Sequence, residues 1–161
     1  MTIHWDISRT PGDAMVDRGG GGCRTFTVQN IQIRGVERDV VIRLAKSRGQ
    51  LEAVCVLINE RYSWRGYGDH HWVSVDDYHA TFTAELDGDV VGTITLAVDS
   101  MRGLAVDRTF PRPMASFRNS PGARHCELTK FAFEPTVQSK PLMAALFHAA
   151  FVYGSKTYGC T

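Results

Sequence analysis

The chain has 161 residues, 43% of them hydrophobic and 22% charged, with a net charge of +1. That length is enough for one domain with a real core, and the balance excludes a disordered chain, a collagen and a coiled coil. The near-zero charge argues against a nucleic-acid or membrane-surface binder, and no apolar run approaches the ~20 residues that span a bilayer. Met1 to Thr10 has no apolar stretch behind a basic start, so it does not read as a secretory signal. Cys23, Cys55, Cys126 and Cys160 lie far apart with no C-x-x-C pattern. Reduced thiols in cytoplasm fit better than a zinc ribbon or a disulfide scaffold.

Residues 1–35 read as a flexible leader. Pro11, Gly12 and the run Gly19-Gly20-Gly21-Gly22 work against regular structure. Within it, Cys23 to Arg34 alternates, and Phe26 and Val28 share one parity while Ile31 and Ile33 share the other. A bulge near Asn30, or two short strands, would account for the switch. Folded, this piece pairs on a sheet edge; unfolded, it is part of the leader.

Asp39 to Ala45 predicts a strand. Ser47-Arg48-Gly49-Gln50 is a capping box, and the helix after it sets Leu51, Val54, Cys55, Ile58 and Tyr62 on one stripe, with Gly66 as its stop. Ala80 to Leu86 and Val90 to Val98 predict two strands joined at Asp87-Gly88, a strong hairpin signal. Asp99 to Arg124 carries Pro111, Pro113 and Pro121, and reads as a structured loop with one short helix near Met114 to Phe117. His125 to Glu134 is a further strand, closed by Pro135. Pro141 to Tyr153 is apolar nearly all round and is expected to be a buried helix. Such a helix usually leads into another strand. The chain ends where that strand would begin, so the domain is expected to be truncated before its last strands.

Three stretches carry a resemblance. The hairpin Thr83 to Leu96 is the first. The second is Asp99-Ser100 with Gly103-Leu104 and Thr109-Phe110-Pro111. The third is Cys126-Glu127-Leu128-Thr129-Lys130-Phe131-Ala132-Phe133. Together they resemble the acyl-homoserine-lactone autoinducer synthases and, more closely, the long-chain N-acyl amino acid synthases of the GNAT acyltransferase superfamily. The likeness covers roughly residues 39–161. It implies an α/β (α+β) fold, a three-layer mixed sheet flanked by helices. Residues 36–161 would be the N-terminal and central part of that domain.

The resemblance also implies the chemistry. A fatty acyl group on the phosphopantetheine of acyl carrier protein is transferred to the amine of an amino acid or another small amine. No cofactor is held permanently and no metal is needed. Two departures stand out. The family strand commonly reads Glu-x-Ser-Arg, whereas this one reads Glu127-Leu128-Thr129-Lys130, which keeps a charge but loses the bidentate fork. The coenzyme-A pyrophosphate loop is replaced by Gln138-Ser139-Lys140-Pro141-Leu142-Met143, without its glycine. That affects a coenzyme A donor more than a carrier-protein donor, whose arm has no pyrophosphate.

Amide formation from a thioester needs a neutral amine, donors for an oxyanion and reactants held in line. Glu127, inside an apolar strand, is the candidate base. Lys130, Thr129, Phe131, Arg61 and Trp64 are the candidate substrate contacts. Glu127 and Lys130 share a face only if a bulge intervenes; family sheets often have one there, and its backbone N–H would meet the oxyanion. The plain alternative is a structural Glu127–Lys130 ion pair, with Trp64 as packing.

Asp76-Asp77 reads better as a turn cap than as a site. Asp69-His70-His71 lacks a third metal ligand. His79, His125 and His148 read as surface or satisfied histidines. Phe110, Phe117, Phe131, Phe133, Met143, Phe147 and Phe151 are expected to be mostly core. Between Ser100 and Lys130 six basic residues face two acidic ones, a face suited to an acidic carrier protein. A non-catalytic reading remains beside the enzyme: an inactive or truncated GNAT-like domain that binds acyl carrier or a partner chain.

Overall fold

The computed structural model describes residues 3–4, 25–33, 35–68 and 70–160. Six strands form one sheet in chain order: β1 (Ile3–His4), β2 (Thr25–Ile33), β3 (Val36–Leu44), β4 (His79–Leu86), β5 (Asp89–Val98) and β6 (Cys126–Phe133). Helix α1 (Arg48–Ser63) follows β3, α2 (Pro111–Arg118) lies in the long loop, and α3 (Lys140–Tyr153) follows β6. Every pairing among the described residues is antiparallel.

Local chemistry explains the elements. Ser47 accepts from the Gln50 N–H at 3.2 Å while the Gln50 side chain accepts from the Ser47 N–H, so the expected capping box starts α1. Asp87 and Gly88 both take positive φ, 53° and 95°, as a tight hairpin with the right twist requires. The parity switch in β2 coincides with a register shift between Val28 and Ile31, so the alternating stretch is a bulged strand paired to β3. Ile3 and His4 pair with Val28 and Thr27, so this part of the expected leader joins the sheet. The glycine run and Cys23 lie outside the described residues.

The sheet is covered on both faces, giving three layers. On one face α3 packs Leu142, Leu146 and Ala150 onto Ile42, Phe82, Ile94, Leu96 and Phe133. On the other, α1 sets Val54, Leu57 and Ile58 against Ala132. Gly92 leaves room for the Phe133 ring, which a side chain there would strike.

Helix α3 departs from its expectation. It buries one face only, while Phe147 is 39% and Phe151 67% exposed. Phe110 and Phe117 are exposed as well, and of the seven residues expected to be mostly core only Phe133 is buried. Apolar periodicity marks what a helix can bury; what is there to cover it decides what it does bury. No helix among the described residues is long and apolar enough to cross a membrane.

Candidate active site

The site is built on the start and middle of β6. Glu127 pairs with Ala97 and Thr129 with Thr95, while Ala132 pairs with Thr93. Two residues of β6, Lys130 and Phe131, therefore oppose the single residue Ile94. Lys130 takes φ 51°, a conformation that a residue with a side chain adopts only at some cost. This is the bulge on which the shared face of Glu127 and Lys130 depends. Thr93 pairs with Ala132, which packs under α1, so Glu127 and Thr129 lie on the α1 side of the sheet. Lys130 lies close to Cys55 of α1, and burial lowers its pKa. Phe131 turns to the opposite face, against Phe133 at 5.2 Å and Phe147 at 4.8 Å.

Glu127 is half-buried. One of its oxygens, Oε2, accepts from the backbone N–H groups of Ala105 at 2.8 Å and Val106 at 3.4 Å, at the start of a 3-10 turn, Ala105–Arg108. Among the described residues no hydrogen bond claims its other oxygen. The carboxylate thus anchors the long loop to β6. It also borders a cavity of about 380 Å³, lined by Leu104, Val106, Met114, Phe117, His125, Cys126 and Glu127. No ion pair joins Glu127 to Lys130 among the described residues, so the structural-pair alternative is not realised.

The remaining predicted contacts are dispersed. Arg61 lies between α1 and the end of β6, 3.5 Å from Glu134 and 3.6 Å from Glu60. Trp64 caps the C-terminus of α1 and is 70% exposed, with the Arg65 guanidinium 5.0 Å from its ring, so it is not packing. Tyr62 reaches back to β6, its hydroxyl donating to the Phe131 carbonyl at 3.4 Å. Asp76 caps a turn, accepting from the Tyr78 N–H at 2.9 Å and pairing with His79 at 2.7 Å.

Sequence reasoning missed the buried polar layer beneath α1. Thr81, Thr83, Glu85, Thr93 and Thr95 are all buried there. Thr81 and Thr95 share a hydrogen bond of 2.9 Å. Glu85 accepts from Gln50 at 2.8 Å and Thr83 at 3.0 Å, and lies 3.2 Å from Arg43. The signal was present in the alternation Thr81-Thr83-Glu85, but a carboxylate in a strand says nothing by itself about which helix covers it.

The long loop is also tied down by charge. Arg118 donates to Asp99 at 2.8 Å and to Asp107 at 2.6 Å. The Arg118 hydrogen bond, and then that of the Leu104 N–H, hold the Asp107 carboxyl down to about 2 from an ordinary 3.8. Because the folded value is the lower one, the stabilisation is complete above 3.8 and is lost as pH falls through about 2. Relative to the intrinsic amide rate, hydrogen exchange over residues 103–118 is expected to stay slow at pH 5 and to become fast toward pH 2. Arg118→Ala should give the fast pattern already at pH 7. Equal exchange in that variant and the wild type at pH 7 would show that the ion pairs do not hold the loop.

Comparison with known proteins gives a family match and a structural one. The family model described as N-acyl amino acid synthase FeeM matches residues 53–161, more than half of the chain. Among solved structures, the chain is similar to FeeM, an N-acyl amino acid synthase from uncultured soil microbes, with a TM-score of 0.62 at 21% identity. That match covers 74% of this chain and 66% of the other, so the chain spans just under two thirds of that structure's length. At that identity the likeness shows a shared, GNAT-like fold. No curated protein matched the chain.

Proposed function

Because the chain belongs to the FeeM N-acyl amino acid synthase family, we propose that it moves a fatty acyl group from an acyl carrier protein thioester to the amine of an amino acid. The observation that carries this reading is the placing of Glu127 beside a cavity, on the same face as a bulge at Lys130. In this reading the acyl thioester lies along β6, where a backbone N–H of the bulge meets the oxyanion. Glu127 carries a proton between the attacking amine and the leaving sulfur, while its Oε2 keeps the wall of the site in place. Lys130 and Arg61 hold carboxylate or phosphate of the reactants, and Thr129 and Phe131 line the two sides of the strand.

Two features support a carrier-protein donor. The N-terminus of α3 offers no glycine loop to a pyrophosphate; Ser139 caps it, accepting from the Leu142 N–H at 3.3 Å. Arg102, Arg108 and Arg112 are exposed on the long loop, while Arg118 is taken up by its carboxylates. That leaves a basic face for an acidic carrier. The free thiols of Cys55, Cys126 and Cys160 suit the reducing cytoplasm.

A direct test incubates the protein with palmitoyl acyl carrier protein or palmitoyl coenzyme A and a panel of amino acids, with products read by mass spectrometry. N-acyl amino acid from the carrier thioester is expected. Product from coenzyme A alone would overturn the donor assignment. Carrier binding without product from either donor would favour the non-catalytic reading, in which Glu127 only anchors the loop.

A further inference from the structure

Strand register decides which way Cys126 faces. It pairs with Val98, as Leu128 pairs with Leu96. Directly opposed residues share a face of a sheet, and Leu96 and Val98 belong to the core on the α3 side. Cys126 thus points toward that side, away from its neighbour Glu127. Cys160 lies on the same side. Gly154, at the end of α3, packs against the Leu96 side chain, and the Cys160 Cβ is 3.9 Å from where a Gly154 side chain would begin. The Cys160 N–H donates to the Gly154 carbonyl at 3.2 Å, which fixes the residue there. The two thiols meet and are hydrogen-bonded to each other. Two residues before each of them a second tie joins the same stretches: Arg124 donates to the Tyr158 carbonyl at 3.2 Å. The C-terminal segment therefore runs alongside the start of β6, held by contacts that a small closing movement of two sulfurs would make covalent.

The two thiols differ in exposure. Cys160 is 8% exposed, and burial, then the neighbouring Cys126, push its thiol up to about 11. It stays protonated and out of reach of solvent. Cys126 is exposed and lines the cavity that Glu127 borders. An oxidant reaches Cys126 first and finds Cys160 already beside it, the arrangement in which an oxidised sulfur is resolved as a disulfide. Cys55 lies on α1, across the sheet from both.

We infer that Cys126 and Cys160 form a redox modification site, a dithiol that closes to a disulfide under peroxide and reopens under a small thiol, tying the C-terminal segment to β6. The Cys126 sulfur attacks one peroxide oxygen, the O–O bond breaks, and a sulfenic acid and one water result. The Cys160 sulfur then attacks the Cys126 sulfur. The S–S bond forms, the S–O bond breaks, and hydroxide leaves as a second water with the Cys160 proton. The two thiols lose two electrons and the peroxide gains them. Thiol exchange reverses the bond, as a transient disulfide in a reducing compartment requires. The bond closes a loop that holds the rest of β6 and all of α3, so it also stabilises the fold. None of this depends on acyl transfer.

The test treats the whole chain with hydrogen peroxide, blocks the remaining thiols with iodoacetamide, and reads intact mass and non-reduced peptide maps. The expected product is a monomer lighter by about 2 Da before blocking, for the two hydrogens removed. The Cys126 and Cys160 peptides should be joined, with Cys23 and Cys55 alkylated. The melting temperature should rise by about 5 °C or more and fall back with dithiothreitol. Cys126→Ser should end the cross-link and Cys55→Ser should keep it. Cys160→Ser should end it too, with Cys160→Ala run beside it because the site is buried. All four thiols still alkylated, a cross-link to Cys23 or Cys55, a cross-link between chains, or Cys126 carried on to sulfinic acid with Cys160 still alkylated would each overturn the pairing. A Cys126–Cys160 bond with an unchanged melting temperature would overturn the tying of the segment.

Discussion

Glu127→Gln is expected to lower acyl transfer by about 10²–10⁴-fold while leaving the melting temperature close to that of the wild type. The two effects separate because the carboxylate has two tasks. One oxygen accepts from the Ala105 and Val106 amides and holds the loop against β6. A glutamine can still accept there through its carbonyl, so the loop stays. It cannot accept a proton from an attacking amine, so the chemistry stops. Glu127→Ala removes both functions: activity falls, and the loss of the one oxygen that accepts from two partly shielded amides costs about 1–3 kcal/mol of stability. Thermal melts and single-turnover transfer on both variants distinguish the roles. A glutamine variant with unaltered transfer would leave Glu127 as a loop anchor alone.

Phe82→Ala should be the costliest single truncation in the core, at about 3–5 kcal/mol. Phe82 is fully buried in β4, between Leu44 of β3 and Ile94 of β5. Its ring meets Tyr153 of α3 edge-on, with centroids 5.4 Å apart. Its loss removes the contact that fixes the end of α3 to the middle of the sheet, and the neighbouring strands are too rigid to close the gap. Chemical denaturation reads the effect directly. A loss below about 1 kcal/mol would mean that α3 does not pack there as described.

Features whose cause is local were legible in the sequence. Ser47 with Gln50, Asp87-Gly88 and the switched parity of β2 each depend on neighbours a few residues away, and each appears where the pattern put it. The three layers followed from the same patterns joined to the family likeness. What depends on distant partners was not legible. Trp64 lies one residue past α1 with the neighbouring Arg65 guanidinium over its ring and no core against it among the described residues, so an indole that invited a packing role is exposed. Phe147 and Phe151 fall on the uncovered side of α3. Five arginines in one loop look alike on paper, yet Arg118 is bound to two carboxylates and Arg124 borders a cavity. The bulge at Lys130 lies between these cases. Strand period alone sets Glu127 and Lys130 on opposite faces, and one extra residue reverses that.

The position of the thioester carbonyl decides the chemistry, and a crystal structure with a non-reactive palmitoyl-pantetheine analogue measures it. The expected result is a carbonyl oxygen about 3 Å from a backbone N–H of the Lys130–Phe131 bulge, with the carbonyl carbon open to Glu127. An analogue ordered anywhere else, with that strand untouched, would contradict the proposed chemistry and leave Glu127 a structural residue.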